Sequence, residues 1–291
     1  YGAEGEFKAV VDSLDDARRH LKRLKAFGAF SVKSYNQPRR EQRQQVLEAA
    51  RKHQMMVVPE GGSLLQHNLT MIVDGHTTVE HALPVERLYD DVLQLWAGQP
   101  TAYTPTLGVA YGGLMGEEYW YAHTDVWANE RLLAFVPRWV LDERARRREL
   151  SPDGEYNHVD VAKAAKVLSD RGVRVNLGAH GQREGLAAHW ELWMFEQGGM
   201  TPLEALRAGT LTPAETFGME SDIGSLTVGK LADFAVLSAN PLEDLRNSEK
   251  VELTVIGGRV YDAATMSPVF PAGPPRPALW FEGQGTNWRP E

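Results

Sequence analysis

Five short apolar and β-branched segments recur along the first 180 residues, separated by stretches with helical spacing. They read FSVKSY (30–35), MMVVPE (55–60), TTVEHA (77–82), AYTPTL (102–107) and RVNLGA (174–179). Strand and helix in alternation dictate parallel βαβ units, because a parallel strand can be reached only by a crossover. A doubly wound sheet and an α/β barrel both satisfy that rule. The barrel is preferred because polar residues fall at the C-terminal ends of several different strands, as they do in barrel sites. Five strands do not close an eight-stranded barrel, so further strands are expected upstream of Tyr1 in a longer precursor.

The helices between these strands carry their own signals. Ser13-Leu14-Asp15-Asp16 has the form of a capping box, and Leu14, Ala17, Leu21 and Leu24 follow at helical spacing towards Gly28. Pro38 begins a helix that runs to about His53, a helical piece is expected over 63–72, and Pro84 opens the next. Residues 108–153 break the rhythm. They are rich in Gly, Tyr and Trp and read as a long inserted loop with some helix near 132–140, the kind of segment that forms a lid or binding wall. A helix over 159–171 restores the alternation. TPLE at Thr201 and TPAE at Thr212 each place Thr at an N-cap, Pro at the first helical position and Glu two residues further on.

Past these helices the texture changes to turns and short strands. ADFAVL and a hairpin around Gly257-Gly258 form a small β unit, about 222–265. The expected division is a barrel portion over 1–220 with the insertion 108–153, a small β portion over 221–266, and a Pro-rich extended tail over 267–291.

The formal net charge of −8 over 291 residues argues against nucleic acid as a partner, since phosphate binding wants excess Lys and Arg. The basic run Arg144 to Arg148 is interrupted by Ala145 and has acidic neighbours, so it reads as a solvated segment. No apolar run approaches the roughly 20 residues that span a bilayer. The chain has no cysteine, which excludes disulfides, Cys-ligated zinc and thiol catalysis while leaving the compartment open. It starts at Tyr1 without a signal-peptide pattern.

Alternate residues of a strand face opposite sides, so parity sorts the polar ones. Lys33 lies opposite Phe30, Val32 and Ser34, and a mid-strand lysine is costly to bury unpaired. It either reaches solvent at a strand end or is held in a site. Glu60 shares a face with Met56 and Val58, and it is either a solvated acid before Gly61-Gly62 or a functional one. His81 shares a face with Val79 while Glu80 takes the other. A lone strand histidine is more often a satisfied structural residue, but Lys33 at the matching end of another strand favours a shared site. The face through Asn176 and Gly178 ends in His180, at the turn before a helix. Nitrogen and oxygen donors without sulfur suit Zn, Mn, Fe or Ni.

These residues, in this order, resemble the amidohydrolase superfamily, most closely from Lys33 to Thr265. VKSY is similar to the fourth-strand segment whose carboxylated lysine bridges two metals, and TTVEHA to the sixth-strand segment ending in a metal-binding histidine. NLGAHGQ stands where the family has its eighth-strand aspartate. MTPLEALRAGTLTPAETFGM followed by IGSLTVGKLADFAVL resembles the family's C-terminal signature, which leads back into a small β-sandwich beside the barrel. The likeness is nearest to imidazolonepropionase-like and prolidase-like members, including versions attached to a TolB-like β-propeller.

The chain departs from the family pattern at three places. The first-strand His-x-His pair is absent, Val58 aligns with the fifth-strand histidine and leaves Glu60 as the ligand-capable neighbour, and His180 replaces the eighth-strand aspartate. The resemblance implies barrel strands 4–8 and a metal-dependent hydrolase cleaving a C–N bond, in an amide or cyclic amide, with metal-activated water. It implies one or two divalent ions, zinc first and Mn, Fe or Ni as alternatives. Lys33 as a carbamate, His81 and Glu60 would hold them, with His180 as ligand or base. Arg183, His123 and Tyr111 would shape the pocket for a small-molecule or peptide-like amide, while Trp190 and Trp193 would pack against the barrel. The implied partners are the upstream segment of the same protein and further copies of the chain. The rival reading is a non-catalytic amidohydrolase-like binding or scaffold module, or an inactive fragment.

Overall fold

A computed structural model describes residues 9–35, 37–181 and 183–283. The glycine-rich lead (1–5), Gln182 of the NLGAHGQ segment and the end of the Pro-rich tail lie outside the described residues.

Helix α1 (Leu14–Ala26) starts where expected, with the Ser13 hydroxyl accepting from the Asp16 amide. It packs through Ala17 and Leu21 on α2 (Arg40–His53), burying a small core with Val46, Ala50 and Val57. Between them runs β1 (Ser31–Ser34), paired in parallel with β2 (Met56–Pro59) so that Lys33 lies opposite Val58. Helix α3 (Leu65–Asp74) leads to β3 (Thr78–Glu80), and α4 (Asp90–Ala97) to β4 (Ala102–Thr104). β3 and β4 are again parallel.

Single bridges knit these pairs into one parallel succession. Glu60 bridges to Glu80, and Val175 bridges to Tyr103. The expected fifth strand over 174–179 is reduced to this short contact, in which Tyr103 N donates to Arg174 O and Asn176 N to Tyr103 O, both at 2.8 Å. Gly178 explains why it stops. A Cβ there would lie 2.3 Å from Thr104 Cγ2, so the chain is already turning against β4.

The insertion is far more helical than its composition suggested. It contains α5 (Gly116–His123), α6 (Glu130–Phe135) and α7 (Arg138–Ala145). Some of its aromatic residues, Trp120 and Tyr121 among them, are core. Trp120 is buried against Trp190 and Trp193, as the latter two were expected to be. α8 (His158–Asp170) and α9 (Leu186–Gln197) complete this larger core with Leu168 and Phe195.

Helix α10 (Pro202–Ala208) has the full capping box, Thr201 with Glu204. The second cap falls elsewhere: α11 (Leu211–Thr216) begins one residue before Thr212. Pro213 then sits in the first turn, where no intrahelical N–H bond is required. The C-terminal unit is a four-stranded antiparallel sheet in the order β5 (Phe234–Leu237), β6 (Val251–Ile256), β7 (Arg259–Asp262), β8 (Pro268–Phe270). β8 lies in the segment expected to be an extended tail. Among the described residues no helix is long and apolar enough to cross a membrane.

Candidate active site

The C-terminal ends of the parallel strands converge on one cavity of about 480 Å³. Lys33, Glu60, Glu80, His81, Thr106, Gly178 and His180 line it, together with apolar residues that include Val58, Phe217 and Met219. Lys33 comes from β1, Glu60 from the residue after β2, His81 from the residue after β3, and His180 from the turn before α9. All four residues singled out in the sequence therefore reach the same space.

They form a chain of contacts. Lys33 Nζ stands 2.9 Å from Glu60 Oε2, and Glu60 Oε1 stands 3.6 Å from His81 Nε2. The His81 and His180 rings lie 5.2 Å apart, centre to centre, and Tyr111 lies 6.2 Å from His81. Glu80, one residue before His81, accepts a hydrogen bond from Thr104 Oγ1 at 3.1 Å.

Strand parity alone would not have delivered both Glu80 and His81 to the cavity. The backbone solves this by turning left-handed: φ is +72° at His81 and +58° at His180. A non-glycine residue at such angles costs on the order of 1–3 kcal/mol and persists where its surroundings over-determine it. Histidine pays less than a β-branched residue would. The next loop is held as tightly, because Gly61 donates to Glu80 O at 3.0 Å and a Cβ on it would lie 2.3 Å from that oxygen.

Burial shapes the electrostatics. It lowers the His81 pKa, an effect that Glu60 opposes and His180 and Lys33 reinforce, so the ring favours the neutral, ligand-competent form. Burial raises the Glu80 carboxyl, which Thr104 and Lys33 partly offset and Glu60 reinforces. Tyr111 is also raised, by burial first and then by Glu60.

The donor chemistry fits a divalent ion: two imidazoles and a carboxylate share the cavity, and His81 Nδ1 is buried without a hydrogen-bonding partner. The donors are not drawn together into a closed set. Among the described residues no three His, Asp or Glu side chains form a ready-made ligand group. Lys33 is paired with Glu60 and its side chain is 63% exposed.

The residues expected to contact substrate are placed differently from one another. Tyr111 neighbours His81. Arg183 is buried and its Nε donates to the Tyr121 hydroxyl at 2.9 Å. His123 stacks on Tyr119 and meets Asp153 at 3.0 Å. None of the three lines the cavity, and Tyr111 comes nearest, through its contact with the His81 ring.

Sequence reasoning missed Glu191. This carboxyl on α9 is fully buried and accepts from Leu107 N at 2.9 Å and Gly108 N at 3.3 Å. Burial pushes its pKa up to about 8 against the pull of those amides. The available signal was a single charge inside the otherwise apolar run HWELWMF.

A model of the amidohydrolase family matches residues 28–261. An imidazolonepropionase from Symbiobacterium thermophilum is 55% identical over 40 residues, which is 14% of this chain and 9% of that protein. An ochratoxinase from Aspergillus niger is 36% identical over 85 residues, 29% of this chain and 18% of that protein. Among solved structures, a Xaa-Pro dipeptidase with bound methionine superposes with a TM-score of 0.63 at 19% identity, covering 87% of this chain and 59% of that one. The match thus spans less than two thirds of each of these relatives.

Proposed function

Because this chain belongs to the amidohydrolase family, as the match over residues 28–261 establishes, we propose that its strand-end cavity is the active site of a metal-dependent hydrolase cleaving C–N bonds. The substrate class would be an amide or cyclic amide, small-molecule or peptide-like. In this reading β1 to β4 and the Val175 segment are strands 4 to 8 of a TIM-type barrel, and the C-terminal sheet is part of an accompanying β-sandwich.

The observation that supports it is the convergence of Lys33, Glu60, His81 and His180, from four of the five parallel segments, on one cavity. His81, His180 and Glu60 would hold the ion. Lys33 would either join them as a carbamate or neutralise Glu60 as it does here. A divalent ion, zinc by preference, supplies Lewis acidity: it makes water nucleophilic near neutral pH and polarises the scissile carbonyl. Were His81 and Glu60 to hold the ion without it, His180 at the mouth of the last strand would instead be placed to act as the base. Tyr111, partly buried and kept protonated, can donate a hydrogen bond to the substrate from across His81. The apolar wall of Val58, Phe217 and Met219 limits water at the reacting centre.

A second reading, a non-catalytic member used for binding or scaffolding, is favoured by one observation: the Lys33–Glu60 ion pair stands where a bridging ligand is wanted. Elemental analysis and hydrolysis assays on a panel of dipeptides, N-acyl amino acids and cyclic amides separate the two. The enzyme reading expects bound transition metal and turnover, with His81→Ala and His180→Ala each cutting kcat/KM at least about 100-fold and lowering metal content. A stably folded, metal-free and inactive protein supports the scaffold instead.

A further inference from the structure

We infer that Asn68 is a positioning residue for this site: its side-chain amide fixes the loop that follows Glu60, and so sets the Glu60 carboxylate between Lys33 and His81. The inference deepens the proposed function and rests on it only for what Glu60 does there.

Asn68 is at odds with its own helix. It lies within α3 on the face that also buries Met71 and Ile72, and it has no solvent exposure. Asparagine is a mediocre helix former, and an amide is costly to bury without partners. Both ends of this amide are answered by one residue. Gly62 N donates to Asn68 Oδ1 at 2.8 Å, and Asn68 Nδ2 donates to Gly62 O at 2.9 Å. Turning the amide over would set donor against donor and acceptor against acceptor, so the pairing has one sense.

What the amide holds is the chain just past Glu60. Glu60 N donates to Ser34 O at 3.1 Å and Gly61 N to Glu80 O at 3.0 Å, so the loop leaves β2 and crosses towards β3. Gly61 and Gly62 follow each other, and glycine has the most backbone freedom to lose. A Cβ on Gly61 would lie 2.3 Å from Glu80 O and 3.3 Å from Asn68 Oδ1, so the loop is threaded between β3 and the amide. With both backbone polar groups of Gly62 taken by α3, Glu60 projects from a fixed base. Its Oε2 then stands 2.9 Å from Lys33 Nζ and its Oε1 3.6 Å from His81 Nε2. Asn68 itself does not line the cavity, so it acts through Glu60.

Asn68→Ala removes both bonds. The test uses the full chain without added metal, labelled at its histidine rings, at about pH 8, where an ordinary imidazole is neutral. The His81 resonance, assigned through His81→Ala, should move in N68A. In a Glu60→Ala background N68A should leave it where E60A alone puts it, because the carboxylate that carries the effect is gone. An unmoved resonance, or an equal shift in both backgrounds, means that Asn68 is merely structural and overturns the inference. Zinc affinity should fall about 10-fold in N68A, the lower end of what losing a ligand's support costs. It should fall no further in the double variant than in E60A. If wild-type protein binds no zinc, the proposed function fails, and the two His81 shifts still decide the role of Asn68. Should N68A not fold, hydrogen exchange on the wild type decides: the Gly62 amide should exchange as slowly as that of Ile72 in α3, and fast exchange at Gly62 contradicts the tether.

Discussion

Three histidines away from the cavity show how this interior prices charge. His76, His158 and His189 are each lowered to about 4, with burial the largest cause. A depressed histidine contributes stability that is complete above its unfolded value near 6.5 and is lost as pH falls towards 4. Glu191 acts in the opposite sense: raised to about 8, it contributes stability present below about 4.5 and lost as pH rises through 8. Among these four most strongly shifted groups, the three histidines outweigh Glu191 between pH 4.5 and 6.5, so their joint contribution to stability rises with pH; between 6.5 and 8 Glu191 alone remains and the contribution declines. Urea unfolding across that range should give a maximum near pH 6.5. His158→Gln should reduce the slope below it by about 1.4 kcal/mol per pH unit, one proton's worth. A flat profile from 4.5 to 6.5 would contradict this account of the three rings. At this scale the sequence was readable where chemistry and position coincided. Lys33, Glu60, His81 and His180 are polar groups at strand ends, and all four line one cavity. Parity misplaced His81 against Glu80 because a left-handed residue just past a strand obeys no alternation. Arg183 and His123 looked equally functional, since only the fold reveals that Tyr121, Tyr119 and Asp153 already engage them.

Elements are positioned by contacts that a single atom can disturb. At the C-terminal end of α9, a Cβ on Gly198 would lie 2.4 Å from the Ala162 carbonyl carbon and 2.5 Å from its Cβ. Neither neighbour is the end of a flexible side chain, so α8 and α9 would have to separate. Gly198→Ala should therefore destabilise by about 1–3 kcal/mol despite its better helix propensity, as overpacking does. An unchanged or raised unfolding midpoint would show that the two helices tolerate a wider spacing. Helix starts were legible at Ser13, whose hydroxyl accepts from the Asp16 amide, and at Thr201, where hydroxyl and Glu204 carboxylate satisfy each other's backbone amides. The insertion was legible as helix only near 132–140, because its Gly, Tyr and Trp content hides short helices that bury Trp120 and Leu141. The last parallel strand was over-read for the converse reason: its residues are β-formers, but after Asn176 the backbone leaves the ladder, with Leu177 N donating to Ala208 O.

At the scale of the molecule, the order of parallel segments is what the amino-acid pattern specified best. Alternating strand and helix periods leave few topologies, and the observed succession β1, β2, β3, β4 and the Val175 segment follows chain order, as sequential crossovers require. What pattern could not supply was the distance between donors contributed by different strands, since that depends on twist and on the left-handed turns at His81 and His180. The account turns on whether those donors form a metal centre. The most direct measurement is an anomalous difference map, collected at the zinc edge, from crystals of the protein grown with zinc. The account predicts a peak within bonding distance of His81 and His180, with Glu60 drawn in as the third ligand. A map with no peak in this cavity, and with the Lys33–Glu60 ion pair intact, would contradict it.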